Sequence, residues 1–298
     1  MRRGFYLFGV LIVLIIFFIF EAVAMNARYQ DVSKLGDGSS HDLKQPVKYS
    51  ITENKIPLIY YGSVDGVNLG YQMAPQIVAL KAREAFYDYK KTGNKSQLER
   101  ALFLTDFLLN NSTPEAGGEF LVIKYDFSWP PYNLKTGWRG ALCQAGVLKA
   151  LLLAYENTGE TRYLEAGNRV LKAFEVSVDK GGFKDERTDG RKSYLWLPEY
   201  VSPNPPYVLN GFITALLWIR EYGVATSNSR ALKIYSEGIV SLKHFVPQYD
   251  CGSGCSYYDA SKRVASRHYN DLQARQMKWL YNLTKDRMFL KYYERWSQ

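Results

Sequence analysis

TGNKSQL (Thr92 to Leu98), TGETRYL (Thr158 to Leu164), TSNSRAL (Thr226 to Leu232) and TKDRMFL (Thr284 to Leu290) share one pattern, a threonine-led turn followed by a leucine at the same offset. Each turn sits between two apolar-periodic stretches. Val78–Tyr89, Ala141–Tyr155, Val208–Tyr222 and Leu272–Tyr281 precede the turns, and Leu98–Leu109, Leu164–Phe174, Leu232–Phe245 and Leu290–Trp296 follow them. The pattern predicts four helical hairpins. Thr, Ser, Asn and Asp in the turns are suited to cap the second helix of each pair, and the leucine one turn in is expected to lock that helix onto its partner.

The hairpins recur every roughly 60 to 70 residues, longer than tetratricopeptide or HEAT spacing, so long connections must separate them. The expected fold is mainly α: an α/α toroid, an incomplete barrel of about four helical hairpins, with a few short β-strands N-terminally and in the loops. A simple helical solenoid is the competing architecture, but it leaves the long connections without a purpose. Those connections, Asn110–Gly140, Glu175–Tyr207 and Val246–Asp271, carry YDFSWPPYNLKTGW, SYLWLPEYVSPNPPYVLNGF and YDCGSGCSYYDASKRVASRHY. In a toroid they gather at one mouth, and aromatic loops stiffened by proline are suited to line a carbohydrate cleft.

N-terminal to the repeats, Arg2 and Arg3 precede GFYLFGVLIVLIIFFIF, an uncharged run from Gly4 to Phe20 close to membrane-spanning length. Residues 1–24 therefore read as a signal anchor or transmembrane helix with a cytoplasmic N-terminus, the remainder being extracytoplasmic. Ala22-Val23-Ala24 resembles a cleavage site, which would release the chain as a secreted protein. Residues 25–68 read as a stalk and short β segment with a strand at Ile56–Tyr61, and residues 69–298 as the helical domain.

Composition narrows the partner. A formal charge of +9 favours an anionic one, yet no Lys/Arg block and no finger, RRM-like or helix-turn-helix signature appears, so nucleic acid is not expected. The 24 tyrosines suit stacking on sugar rings as well as filling a core. His41, His244 and His268 lack motif spacing, which argues against a thiol nucleophile with a histidine base, and there are no clustered carboxylates to hold a catalytic metal. Cys251 and Cys255 lie close enough to bridge a tight turn, while Cys143 falls within a helical pattern. Asn94, Asn110, Asn111 and Asn282 begin N-x-S/T sequons.

PEYVSPNPPYVLNGF (Pro198–Phe212), YDCGSGCSYYD (Tyr249–Asp259), and Tyr269 leading into a last hairpin with Gln276 together resemble the C-terminal domain of the D-glucuronyl C5-epimerases. WRGALCQ, with Trp138, Ala141, Leu142 and Gln144, resembles the opening of an earlier helix of that domain. The likeness runs from about Tyr125 to the C-terminus. It implies a barrel of paired helices that inverts C5 of D-glucuronic acid to L-iduronic acid in an acidic, heparan-type polysaccharide without a cofactor. It also implies tyrosine chemistry, with Tyr200, Tyr258, Tyr269 and Glu199 as catalytic residues, and Trp138, Gln144, Asn210, Arg263 and Arg267 as candidate substrate contacts.

The C5 proton lies α to a carboxylate, so its removal generates a near-dianion that donors and cations must stabilise. An acid on one face and a base on the other then invert the centre, roles that phenols fill when a cation tunes them. Tyr258 and Tyr269 are expected to transfer protons, with Tyr200 and Glu199 polarising the site. Tyr258 is preferred over Tyr257 because Asp259 follows it. The family's arginine falls at Ser261, so Lys262, Arg263 or Arg267 must replace it, and Asn270 and Gln273 stand where histidines are frequent. The family's β-rich N-terminal domain is missing or shortened, which leaves a short groove or one completed in a homodimer. A polyuronate lyase on the same scaffold and a non-catalytic carbohydrate-binding surface protein are the alternatives.

Overall fold

The computed structural model describes residues 48–298; the apolar run, His41 and the stalk up to residue 47 lie outside them. Four helical pairs follow a small sheet: α1 (Pro75–Thr92) with α2 (Lys95–Asn110), α3 (Ala141–Thr158) with α4 (Thr161–Lys172), α5 (Leu209–Ala225) with α6 (Ser229–Phe245), and α7 (Arg267–Thr284) with α8 (Arg287–Trp296). No helix among the described residues is long and apolar enough to cross a membrane.

The repeated turn has a physical basis at each of its first three positions. Thr92, Thr158, Thr226 and Thr284 each donate a side-chain hydrogen bond to the carbonyl four residues back, at 2.6, 2.8, 2.6 and 2.7 Å, closing the first helix of the pair. The next residue takes a left-handed conformation in all four turns: Gly93 (φ 70°), Gly159 (φ 73°), Ser227 (φ 52°) and Lys285 (φ 58°). The third position then caps the second helix, where Asn94, Asn228 and Asp286 accept from backbone amides. Glu160 makes no such bond.

The shared leucine is less buried than the residue before it in three of the four pairs. Leu98, Leu164 and Leu290 are half-buried and Leu232 is exposed, whereas the preceding Tyr163, Ala231 and Phe289 are the buried residues. At 100° per residue the core-facing direction falls one position earlier, which leaves the leucine on the flank of its helix. Leu232 lies over Gly223, where an added Cβ would stand 2.9 Å from its Cδ2.

Two concentric layers result. The first helices of the pairs contact one another in the order α1–α3–α5–α7, and each second helix packs outside its own partner. Burial follows this division: α3 is buried from Ala141 to Ala154 and α5 from Leu209 to Ile219, while α4, α6 and α8 bury one stripe each. Gly167 and Gly238 allow close approach in the outer layer. A Cβ on Gly167 would lie 2.9 Å from the Tyr222 ring, and one on Gly238 would overlap the Leu216 methyl groups. This is an α/α toroid.

The β-structure lies before and between the pairs. An antiparallel sheet in the order β1 (Tyr49–Ile51), β2 (Pro57–Val64), β3 (Val67–Gln72) precedes α1. Two-stranded ribbons occupy the long connections: β4 (Thr113–Glu115) with β5 (Phe120–Val122), β6 (Asp185–Asp189) with β7 (Lys192–Trp196), and β8 (Asp250–Gly252) with β9 (Cys255–Ser256). A Cys251–Cys255 disulfide closes the last ribbon, with Cα atoms 5.3 Å apart. Because each connection returns from an outer helix to the next inner one, all three reach the N-terminal ends of α3, α5 and α7.

Gly238→Ala is expected to destabilise the protein by about 1–3 kcal/mol through overpacking against Leu216, less the ~1 kcal/mol that alanine gains over glycine in a helix. Urea unfolding should show the loss in the wild-type background and its disappearance in Leu216→Ala.

Candidate functional site

The segment around Glu199 is held by the first turns of two inner helices. Ala141 N donates to Pro198 O at 2.9 Å and Val201 N to Arg139 O at 3.2 Å, laying the strand-like segment across the start of α3. Gly140 lets the backbones meet, since a Cβ there would collide with the Glu199 carbonyl oxygen. The Glu199 side chain reaches into the first turn of α5, where a Cβ on Gly211 would collide with Oε2. The third connection joins the same turn: Leu209 N donates to Tyr258 O at 3.1 Å. Since α5 has no side-chain N-cap, these neighbours meet an end whose free amides favour negative charge.

Burial nevertheless decides the state of Glu199. The residue is 6% exposed, and loss of solvation pushes its carboxyl up to about 8, against the pull of a Tyr200 hydrogen bond and the Arg263 charge. At neutral pH burial thus favours the protonated carboxyl. Its Oε2 has no hydrogen-bond partner among the described residues.

Tyr200 and Tyr258 lie close to this carboxyl, and Tyr269 adjoins them, at 6%, 4% and 4% exposure. The Tyr258 and Tyr269 rings meet edge to face, centroids 4.7 Å apart. Tyr200 lies between Tyr132 (4.4 Å) and Trp138 (5.7 Å). Burial holds the Tyr200 and Tyr258 phenols well above their ordinary range, reinforced for both by the Glu199 charge. Arg263 acts in the opposite direction on Tyr258.

The arginine reaches the cluster through a turn. Tyr258 N donates to Arg263 O at 2.7 Å beside a Tyr257–Val264 bridge, while Asp259 Oδ1 accepts from the amides of Ser261 (3.0 Å) and Arg263 (3.4 Å). The Arg263 guanidinium comes back over the Tyr258 ring, 5.1 Å from its centroid, tied to buried Asp259 at 2.6 Å and to the Tyr132 hydroxyl. Ser261 and Lys262 are exposed, and Arg267 is exposed at the first residue of α7. Tyr258 thus points into the cluster, whereas Tyr257 is half-buried beside it.

The remaining candidates take different places. Trp138 stacks on Tyr125 at 3.7 Å and donates Nε1 to Phe127 O at 2.8 Å, forming the wall behind Tyr200. Gln144 is buried and accepts from Ile123 N and donates to Leu121 O and Val170 O, riveting β5 to α3 and α4. Asn210 is buried in α5, its carbonyl accepting from Gln276 Nε2 at 2.9 Å, which ties α5 to α7. Asn270 and Gln273 both bond Ser256 beneath the last ribbon. Cys143 is a free, buried thiol pushed up to about 12 by lost solvation. Among the described residues no group of three or more His, Cys, Asp or Glu side chains is placed to hold a metal.

Sequence reasoning passed over Tyr132 and the carboxylate function of Asp259. Tyr132 had no motif of its own; its tandem prolines, Pro130 and Pro131, were the available signal for a fixed turn. A second arginine, Arg187 on β6, fastens the middle connection to the last. It donates to Tyr249 Oη and Gln248 Oε1 at 2.8 Å each and lies 3.9 Å from the Phe245 ring centroid.

Residues 116–298 match the family described as D-glucuronyl C5-epimerase C-terminus. An uncharacterized protein of Methanocaldococcus jannaschii is 47% identical over 267 residues, covering 86% of both chains. The D-glucuronyl C5-epimerase of Caenorhabditis elegans is 25% identical over 226 residues, covering 70% of this chain and 36% of that one. In fold, the GH76 α-mannanase of Bacteroides thetaiotaomicron superposes with a TM-score of 0.50 at 17% identity, over 82% of this chain and 62% of that one.

Because the folded value of Glu199 is raised to about 8 from 4.5, its contribution to stability is complete below pH 4.5 and falls as pH rises through 8. Urea unfolding at pH 5 and pH 8 should show a wild-type loss that Glu199→Gln reduces by on the order of a few kcal/mol. An equal loss in both proteins would contradict the buried, protonated carboxyl.

Proposed function

The chain belongs to the family of the D-glucuronyl C5-epimerase C-terminus, and from that premise we propose that it inverts C5 of D-glucuronic acid residues to L-iduronic acid in an acidic polysaccharide. The observation that carries this reading is convergence. Glu199, Tyr200, Tyr258, Tyr132 and Arg263 come from all three long connections, and they meet Tyr269 of α7 near the first turn of α5.

The arrangement suits removal of a proton α to a carboxylate. Arg263 supplies a cation for the substrate carboxylate, and protonated Glu199 and Tyr200 supply hydrogen bonds to the charge that develops on it. Tyr258 is assigned as the base for one C5 configuration, with the Arg263 guanidinium over its ring countering part of the upward push of burial. Tyr269, in edge contact with Tyr258, returns a proton from the other face, and the roles exchange for the reverse reaction. For a ring to be inverted, the two phenols, in edge contact at 4.7 Å, have to part around it.

We place this site outside the cytoplasm, tethered through residues 1–24. The reading is supported by Arg2 and Arg3 before the apolar run and by the Cys251–Cys255 disulfide, since oxidising compartments preserve such bonds. Protease protection of the full chain in sealed membrane vesicles tests it.

In heavy water the purified protein should place deuterium at C5 of heparosan or another glucuronan. Tyr258→Phe should reduce incorporation by about 10²–10⁴-fold while leaving unfolding nearly unchanged. Absence of exchange across several polyuronates would remove the epimerase reading. Absorbance from an unsaturated uronate would assign lyase chemistry instead.

A further inference from the structure

The three tyrosines given chemical roles are each at most 6% exposed, so a sugar cannot reach them in the conformation described. Arg263 is different: 45% of its side chain is open, so a ligand arriving from solvent meets it first. Its Nη2 is already engaged, donating both to Asp259 Oδ2 and to the Tyr132 hydroxyl. Tyr132 in turn lies over Tyr200, with ring centroids 4.4 Å apart.

The turn that carries Tyr132 is short and self-contained. Pro130 and Pro131 start it, Asn133 ends it in a left-handed conformation (φ 51°), and paired backbone bonds between Trp129 and Leu134 (2.8 and 3.0 Å) close its base. The turn therefore holds its own shape whatever Tyr132 touches. The Tyr132 side chain spans the gap from this connection to Arg263 on the third one.

We infer that Tyr132 is a specificity-determining residue: its hydroxyl takes the place on Arg263 that a substrate carboxylate occupies, and its ring covers Tyr200 until that carboxylate displaces it. The inference deepens the epimerase reading and rests on it for the identity of the anion. A neutral sugar hydroxyl replaces the tyrosine hydroxyl on the guanidinium in an even exchange and gains little. A carboxylate makes the stronger, charge-assisted bond and can open the site. The energy that selects a uronate is thus spent at Arg263, before the ring reaches Tyr258 and Tyr269.

Tyr132→Phe keeps the ring and removes the hydroxyl. Two measurements on the full-length protein test the inference. The first is modification of Arg263 by phenylglyoxal, followed in the Arg263 peptide by mass spectrometry, which needs no substrate. The variant should react several-fold faster than wild type, and equal rates overturn the inference. The second is calorimetric binding of a heparosan oligosaccharide and its carboxyl-reduced counterpart. Tyr132→Phe should bind the uronate form about tenfold more tightly, the value of one charge-assisted hydrogen bond, and bind the reduced form measurably where wild type does not. Unchanged affinity for a uronate that does bind overturns the inference as well. Faster modification with no uronate binding in either protein leaves the Tyr132 cover standing and overturns the uronate reading instead.

Discussion

Glu199 sits where two helices begin, and this crowding is the constraint from which the rest of the site follows. Its backbone lies on the start of α3 and its carboxyl in the first turn of α5, with Gly140 and Gly211 as the residues that leave room. A side chain at either glycine would expel the segment. Once Glu199 is seated, Tyr200 must face the wall formed by Trp138 and Tyr132, and Tyr258, bonded through its carbonyl to Leu209, must lie across from it. The toroid supplies the setting because its long connections all return to the same ends of the inner helices.

Burial, more than charge, sets the chemistry available. The first turn of α5 favours an anion, yet lost solvation keeps Glu199 mostly protonated at neutral pH and raises the surrounding phenols. Arg263 is the positive charge that counters this among the groups acting on Tyr258. Asp259 keeps the guanidinium in place, and Tyr132 shares it. The result is a buried cluster of raised acids in which one guanidinium draws both Tyr258 and Tyr132 back toward ionisation.

Most of the fold was legible because its determinants are local. Each threonine-led turn holds its back-bonded hydroxyl, its left-handed residue and, in three of four cases, its cap within three consecutive positions, so the pattern survives in one dimension. The depth of the leucine was not legible, because its direction depends on where each helix starts in its turn, a shift of one residue that the repeat alone does not reveal. Gln144 shows the same limit on a larger scale. A polar residue in a matched motif can face a cleft or bind backbone, and here three backbone groups claim it.

By itself the sequence determined the helical pairs, the placement of aromatic connections between them, and the family to which those connections belong, because each is written in short-range spacing. Tertiary structure alone decided which cation lies over Tyr258. The turn from Asp259 to Lys262 reverses the chain, so Arg263, two residues beyond the expected position at Ser261, comes back across the ring. It also decided that Glu199 mostly keeps its proton and that Tyr132 belongs to the site. Both depend on side chains far apart in the chain being desolvated together, and no local pattern encodes that.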